Sequence, residues 1–469
     1  MSAREDVFFE PLRTIGKQLR DRSVSPVELA ELALSRLGTK GRDLNAVATL
    51  TRERALEEAK AAEKELKAGR DRGPLHGIPY AAKDLFDTDG IATTFGAGPY
   101  ANRIPDRDAA VIVKLREAGA VLCAKLTMAE LAGGLGYHRG DASLHGPMRN
   151  PWNKERWTGG SSAGSGAAVA AGLVPFSPGT ETWGSILCPA AFCGVTGLRP
   201  TFGRVSRAGA MALSWTMDKV GPLARSADDA RLVLDAMAGP DAADTGSSSR
   251  PMAWTGWTRS AKGMKAAVLR ADFAKHGDPE VGAAFDAALK TLGGLGIELE
   301  ETKLPDLPFE TAAIVSVQVE AAAAFEPLFA DGARGARQLV DERAFAQGEV
   351  AKAITGADYV KALRLRRVMQ EEMNRFFARF DVIIAPNFLK VAPGVTEDMD
   401  TYFAGGDALG AMGNACGLPA LALPMGFGRE GMPCGFQVVA PAFEEASLMR
   451  VGRAFQEATA FHKERPKGA

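Results

Sequence analysis

Histidine and cysteine are scarce in this chain, and their scarcity limits the metal and acyl-transfer chemistry open to it. The 469 residues include five histidines and five cysteines, and the cysteines form no C-x-x-C pair. Cys188 and Cys193 are close in sequence but have no histidine nearby to complete a zinc set. No H-E-x-x-H sequence occurs, and the nearest G-x-S-x-G match, residues 160–164, fits a strand–helix turn poorly. These absences argue against a metal site and against a Ser-His-Asp triad.

A strong net charge and long apolar runs are also missing. Lys and Arg number 56 against 57 Asp and Glu, so the formal net charge is −1. A chain this close to neutral has no long-range attraction to nucleic acid or to an anionic membrane. The longest apolar stretch, residues 166–176, is too short to span a bilayer, and the N-terminus carries charges where a signal peptide needs an apolar core. We therefore expect a soluble, cytoplasmic protein with no nucleic-acid or membrane partner.

The remaining composition is that of a globular protein in which helices and strands alternate. Hydrophobic residues make up 46% of the chain and charged residues 24%. Residues 25–28 form a capping box that predicts the start of a helix. In the Gly- and Ser-rich centre, residues 159–200, we predict a short helix over 165–171 followed by a turn-rich stretch. Short apolar runs alternate with helical patterns in the region before it, which favours a sheet covered by helices.

A lysine and three serines provide the most specific chemical pattern. Lys83 ends an apolar, strand-like run, Ser161 and Ser162 lie in the Gly-rich run 159–166, and Ser185 follows later. A serine nucleophile needs a base, and in the absence of histidine a lysine can serve if burial lowers its pKa toward neutrality. The second serine can carry the proton, and backbone N–H groups before Ser185 could bind an oxyanion. The Gly-rich run lacks the Gly-Lys-Ser/Thr ending of a phosphate-binding loop.

At these residues the chain resembles the amidase signature family. The resemblance extends from about residue 10 to residue 460 and is weakest between 240 and 380. Ser161 precedes Ser185 by the family's usual separation of 24 residues. The matching motifs are the lysine motif at 77–84, the Gly/Ser-rich motif at 159–165, the nucleophile motif at 180–189 and two later stretches at 192–201 and 414–426.

The resemblance implies an α/β amidase-signature fold, in which a mixed central β-sheet is covered by helices on both faces. It implies one domain over residues 1–469. Within this domain we expect a helical N-terminal segment over about 6–70, a catalytic core over about 71–235, a loop over about 241–258 and a C-terminal half over about 259–469.

The resemblance also implies a Ser–cisSer–Lys triad without metal or cofactor. In this interpretation Ser185 is the nucleophile, Ser161 relays the proton after a cis peptide bond from Gly160, and Lys83 is the neutral base. The oxyanion hole would be formed by backbone N–H groups of the loop Thr182, Trp183, Gly184 and Ser185. Supporting hydrogen bonds would come from Ser162 and Glu181.

Three departures from the family pattern bear on the substrate. The family usually has Asp, Gly and Arg where this chain has Glu181, Trp183 and Leu187. A tryptophan at a position that needs a positive φ would be strained, whereas one in the pocket wall would favour apolar groups. We expect substrate contacts from Trp183, Leu187, Met211 and Trp215.

The predicted reaction is hydrolysis of an amide, an aryl ester or a carbamate (urethane) through a seryl acyl-enzyme. The predicted partner is that small-molecule substrate, with a homodimer as the assembly. Two alternatives stay open from the sequence. One is a glutamine-hydrolysing amidotransferase A-type subunit that depends on a partner chain. The other is a non-catalytic binding protein on the same fold.

Overall fold

The computed structural model describes residues 6–270, 273–403 and 407–468. The ends of the predicted domain, residues 1–5 and 469, lie outside the described residues. Within the described ranges the strands are β1 (Val47–Leu50), β2 (Pro79–Lys83), β3 (Val121–Leu126), β4 (Phe176–Glu181), β5 (Thr196–Arg199), β6 (Lys219–Ala224), β7 (Lys265–Val268), β8 (Glu298–Glu301), β9 (Val382–Pro386), β10 (Ala420–Phe427) and β11 (Pro433–Val439).

The α-helices of the same ranges lie between and beside these strands along the chain. They are α1 (Leu12–Arg20), α2 (Pro26–Gly38), α3 (Lys40–Asp43), α4 (Arg52–Lys67), α5 (Ala110–Glu117), α6 (Ala163–Ala170), α7 (Leu187–Cys193), α8 (Ala227–Met237), α9 (Phe273–His276), α10 (Pro279–Gly294), α11 (Phe309–Ala324), α12 (Ala330–Ala333), α13 (Arg343–Ala351), α14 (Gly356–Phe377), α15 (Met399–Tyr402), α16 (Ala408–Ala415) and α17 (Glu445–Ala458). None of the described helices is long and apolar enough to cross a membrane.

The strands form a large mixed sheet and a small sheet. The large sheet has the order β4-β6-β5-β10-β11-β9-β7-β8, and the small one has the order β1-β3-β2. Pairs from β4 to β9 are antiparallel, whereas β7 runs parallel to both β9 and β8. Helices pack against these strands, so the predicted α/β fold with a mixed sheet is confirmed. The division into one domain with four segments stays a prediction.

Helix α2 begins where the capping box predicts. The Ser25 hydroxyl accepts a hydrogen bond from the Glu28 N–H at 3.1 Å, and the Glu28 carboxylate accepts one from the Ser25 N–H at 2.8 Å. Pro26 occupies the first helical position, where its missing N–H costs no hydrogen bond. Local side-chain chemistry is therefore sufficient to set this boundary.

The prediction of a turn-rich stretch after residue 171 is wrong, because this region contains β4, α7 and β5. β4 contains Pro and Gly, and its Gly179 pairs with Gly221 of β6. A Cβ at Gly221 would lie 2.1 Å from the Leu198 carbonyl oxygen, and one at Gly179 would lie 2.7 Å from Ser162 Oγ. Glycine is used here because another group approaches too closely for a Cβ, not because the chain turns.

This close packing brings the predicted functional residues together at the junction of the two sheets. Lys83 ends β2 of the small sheet, while Ser185 follows β4 of the large sheet, and β2 contacts β4. Ser161 lies just before α6, which packs against both strands.

Candidate active site

Lys83 is buried beside Ser161. Its Nζ lies 2.6 Å from Ser161 Oγ and 2.8 Å from Thr180 Oγ1, and the side chain is 0% exposed. Burial lowers the pKa of Lys83 well below its usual range, although the carboxylates of Asp218 and Glu181 act in the opposite direction. A lysine amine of this kind is able to accept a proton.

The segment that carries Ser161 is tied to the segment that carries Ser185. The peptide bond between Gly160 and Ser161 is cis. Ser162 Oγ accepts a hydrogen bond from the Thr180 N–H and donates one to the Thr180 carbonyl, both at 3.2 Å. The Ser162 N–H also donates to the Ser185 carbonyl at 3.2 Å. These bonds fix the relative position of the two serine segments.

Glu181 anchors the start of α7 directly after Ser185. Its Oε2 accepts hydrogen bonds from the N–H groups of Ile186 at 2.9 Å and Leu187 at 3.0 Å. Its Oε1 lies 2.7 Å from the guanidinium of Arg199, and both side chains are buried. Burial opposes the charge on Glu181, but Arg199 and Lys219 outweigh this effect and hold the pKa of the carboxyl below its usual range. Glu181 therefore supports the geometry of the Ser185 loop as a carboxylate.

The loop from Thr182 to Ser185 places its left-handed residue at Gly184 and not at Trp183. Gly184 has a φ of 82°, whereas Trp183 has no positive φ, so the strain considered for tryptophan does not arise. The Thr182 hydroxyl donates to Asp218 Oδ1 at 2.5 Å. The Trp183 indole N–H donates to Asp407 Oδ2 at 2.8 Å, and its ring lines a cavity that also contains Ser185.

That cavity measures about 960 Å³ and has aromatic and aliphatic walls near Ser185. Charged side chains, among them Arg270, Lys303, Lys390 and Glu310, also line it. Its aromatic and aliphatic wall residues include Tyr137, Trp157, Trp183, Leu213, Ile314 and Phe403. The cavity therefore combines apolar walls with charged side chains.

The structure does not bring the other three predicted substrate contacts to this cavity. Leu187 is 4% exposed, because the first turn of α7 directs it into a cluster of buried apolar side chains. Met211 and Trp215 line a separate cavity of about 200 Å³, which also contains Thr182 and Asp218. They lie on a loop whose path depends on long-range packing, so their spacing from Ser185 in the sequence carried no information about contact.

Sequence reasoning missed Tyr137, whose hydroxyl lies 3.2 Å from Ser185 Oγ. The same hydroxyl lies 3.1 Å from the Ala132 carbonyl oxygen, and the ring packs edge-on against Trp157 at 6.0 Å between centroids. A single tyrosine without a motif gives no signal in the sequence. Among the described residues, no three His, Cys, Asp or Glu side chains are grouped so that they could hold a metal ion.

Comparison with known proteins gives the context for this geometry. The family model described as Amidase matches residues 28–449. The chain is 34% identical to the A subunit of glutamyl-tRNA(Gln) amidotransferase from Carboxydothermus hydrogenoformans, over 98% of this chain and 100% of the relative. Its structure is similar to native peptide amidase from Stenotrophomonas maltophilia, with 28% identity, a TM-score of 0.84 and coverage of 95% and 96% of the two chains. It is also similar to the A subunit of glutamyl-tRNA(Gln) amidotransferase from Thermotoga maritima, with 28% identity, a TM-score of 0.80 and coverage of 97% and 96%.

These comparisons overturn the expectation about partners. The sequence predicts only a small-molecule amide, ester or carbamate, no nucleic acid, and a homodimer as the assembly. That prediction is wrong, because relatives that align over nearly their whole length are named as one subunit of an amidotransferase. A net charge near zero describes the average of the surface and carries no information about a protein interface. The resemblance itself is confirmed: the chain belongs to the amidase signature family, whose members act on C–N bonds.

Proposed function

We propose that this chain cleaves a C–N amide bond through a seryl acyl-enzyme, with Ser185 as nucleophile, Ser161 as proton carrier and Lys83 as base. The observation that carries the proposal is the buried Lys83 Nζ, 2.6 Å from Ser161 Oγ, with Gly160, the residue before Ser161, lining the same cavity as Ser185. A lysine whose pKa burial has lowered can take a proton that a solvated ammonium could not.

The reaction follows from these positions. Ser185 Oγ attacks the amide carbonyl while its proton moves by way of Ser161 to Lys83. The developing oxyanion faces backbone N–H groups of residues 182–185, which would stabilise its charge. The Lys83 ammonium then returns the proton to the leaving nitrogen as the C–N bond breaks. Water attacks the acyl-enzyme by the same path in reverse and frees the serine.

For the setting of this chemistry, we propose an A-type amidotransferase subunit that releases ammonia from glutamine for a partner chain. The support is the similarity to proteins named as A subunits of such an enzyme, at 34% and 36% identity over 98% and 97% of this chain. On this proposal the chain works efficiently only when its partner chains are present.

A second candidate concerns the acyl group, and the cavity itself favours it. The Asp407 carboxylate accepts hydrogen bonds from the Trp183 indole at 2.8 Å and from the Gly410 N–H at 2.8 Å. Both of its oxygens therefore have partners within the protein, and the walls beside Ser185 are largely apolar. An apolar acyl group gains free energy from burial against these walls, whereas a polar one would have to reach the charged side chains elsewhere in the cavity, such as Arg270 and Glu310. An apolar or aromatic amide, aryl ester or carbamate fits better.

One experiment tests the chemistry and separates the two substrates. The purified chain is assayed alone and mixed with the remaining subunits of a glutamyl-tRNA(Gln) amidotransferase, using glutamine, an aryl amide, an aryl ester and an aryl carbamate. Ser185→Ala is the test variant, and the exposed Ser35→Ala in α2 is the matched control. We expect turnover that disappears in Ser185→Ala and persists in the control.

The pattern of turnover then assigns the acyl group. Ammonia from glutamine only in the mixture supports the A-type subunit, whereas cleavage of the aryl amide by the chain alone supports the apolar substrate. Equal turnover by Ser185→Ala and wild type would contradict the serine mechanism.

A further inference from the structure

The Tyr137 hydroxyl touches the reacting oxygen of the proposed mechanism. It lies 3.2 Å from Ser185 Oγ, and the Tyr137 ring packs beside Gly160, the residue directly before Ser161. It therefore contacts the proposed nucleophile and lies beside the segment that carries the second serine. The inference below rests on the proposed function and adds one residue to it.

The Tyr137 ring packs closely against two glycines, Gly133 and Gly160. A Cβ at Gly133 would lie 2.5 Å from Tyr137 Cε2, and a Cβ at Gly160 would lie 3.0 Å from Tyr137 Cε1. Gly160 is the residue directly before Ser161, so the ring lies against the segment that carries the second serine. The edge-on contact with Trp157, at 6.0 Å, supports the ring from another direction. The hydroxyl is thus placed by packing and not by a flexible side chain.

The hydroxyl is chemically suited to pass a proton between two other hydroxyls. A phenol has one proton to donate and lone pairs that accept, so Tyr137 can accept from Ser185 while it donates to Ser161. In the resting protein its proton has a further acceptor, the Ala132 carbonyl oxygen at 3.1 Å. Burial raises the pKa of Tyr137 above its usual range, although the bonds to Ser161 and Ser185 act in the opposite direction. The group therefore stays a neutral phenol and keeps a proton to transfer.

We propose that Tyr137 is a catalytic residue that connects Ser185 to Ser161 during proton transfer. As the bond forms between Ser185 Oγ and the carbonyl carbon, the Ser185 proton moves to Tyr137 Oη. The phenol gives its own proton to Ser161 Oγ, and Ser161 gives its own proton to Lys83 Nζ. The carbonyl π electrons move to the oxyanion, and the phenol and the Ser161 hydroxyl are both regenerated. When the C–N bond breaks, the proton returns from Lys83 through Ser161 to Tyr137, and Tyr137 Oη gives its proton to the leaving nitrogen, because Ser185 Oγ is then bonded to the acyl carbon.

Tyr137→Phe removes the hydroxyl and keeps the ring that Gly133, Gly160 and Trp157 enclose. The assay is the rate of Ser185 labelling by a fluorophosphonate–biotin probe, in which an Oγ–P bond forms and fluoride leaves. We expect labelling about 100-fold slower than in wild type, the low end of what a positioned proton-transfer group contributes. Tyr100→Phe, outside the cavity, is the matched control and should label at the wild-type rate. Thermal unfolding of each variant checks that the fold is retained.

A second readout separates proton transfer from packing. In mixtures of H2O and D2O, we expect the solvent isotope effect on labelling to fall in Tyr137→Phe, because fewer protons move in the rate-limiting step. A slow variant with an unchanged isotope effect would overturn a proton-transfer role, and labelling within threefold of wild type would do the same. If wild type is labelled at Ser185 in those cases, the proposed function stands without Tyr137. If wild type is not labelled at all, both proposals fail.

Discussion

Removing the charge of Glu181 should destabilise the protein and disturb Ser185 together. In Glu181→Gln the remaining side-chain oxygen can still accept hydrogen bonds from the Ile186 and Leu187 N–H groups, which lie 2.9 and 3.0 Å from Glu181 Oε2 in the wild-type structure. The new amide NH2 would face the Arg199 guanidinium, which in the wild-type structure lies 2.7 Å from Glu181 Oε1 and belongs to a side chain that is only 1% exposed. An arginine left without its buried partner costs about 3–5 kcal/mol. We expect the free energy of unfolding to fall by about 3 kcal/mol.

The assay is chemical denaturation of Glu181→Gln, followed by the rate of Ser185 labelling under native conditions. Glu457→Gln is the matched control, because Glu457 pairs with Arg453 at 2.7 Å on the surface of α17, where its side chain is 62% exposed. An exposed i,i+4 pair contributes only about 0.5 kcal/mol. A loss below 1 kcal/mol in Glu181→Gln, equal to that of the control, would refute the reasoning that the buried pair anchors the start of α7.

Four further predictions follow from the geometry. Because only a neutral amine accepts a proton, kcat/KM should increase as the pH rises through the lowered pKa of Lys83, and it should be low at pH values below that pKa. A flat profile from acidic to alkaline pH would contradict the role of Lys83 as base. Lys83→Met should lower kcat by at least about 100-fold, measured by steady-state kinetics. Gly221→Ala should lower the free energy of unfolding by about 2 kcal/mol or more, because the added Cβ would lie 2.1 Å from the Leu198 carbonyl oxygen. The control Gly294→Ala in α10, whose Cβ would have nothing within 4 Å, should not destabilise the protein. Equal denaturation midpoints for the two variants would argue against the close approach. Trp183→Gly should raise KM for an aryl amide about 10-fold by removing an apolar wall, and an unchanged KM would remove Trp183 from the substrate site.

Elements with a local signal in the sequence were predicted correctly, whereas elements that depend on tertiary packing were missed. The start of α2 depends on hydrogen bonds between residues three positions apart, and the sequence predicts it directly. β4 and β6 were missed, because glycine and proline favour turns unless neighbouring backbones pack closely enough to require them.

The residues of the site show the same difference between motif signals and tertiary contacts. Lys83, Ser161 and Ser185 were selected through motifs, and their catalytic roles stay a prediction that the variants above test. Tyr137 was missed because its contact with Ser185 depends on how residues 48 positions apart fold together. Leu187 was expected at the substrate, but the turn of α7 buries it.

The amino-acid sequence by itself determined the family, the α/β class and the helix starts that local hydrogen bonds encode. It also named the lysine and serines, because a motif records which residue types occur in which order. Only the tertiary structure decided which side chains line the Ser185 cavity, that Trp183 donates to Asp407, and that the Tyr137 hydroxyl contacts Ser185. The physical reason is that these contacts depend on close packing between segments far apart in the chain, and packing of that kind has no local signature.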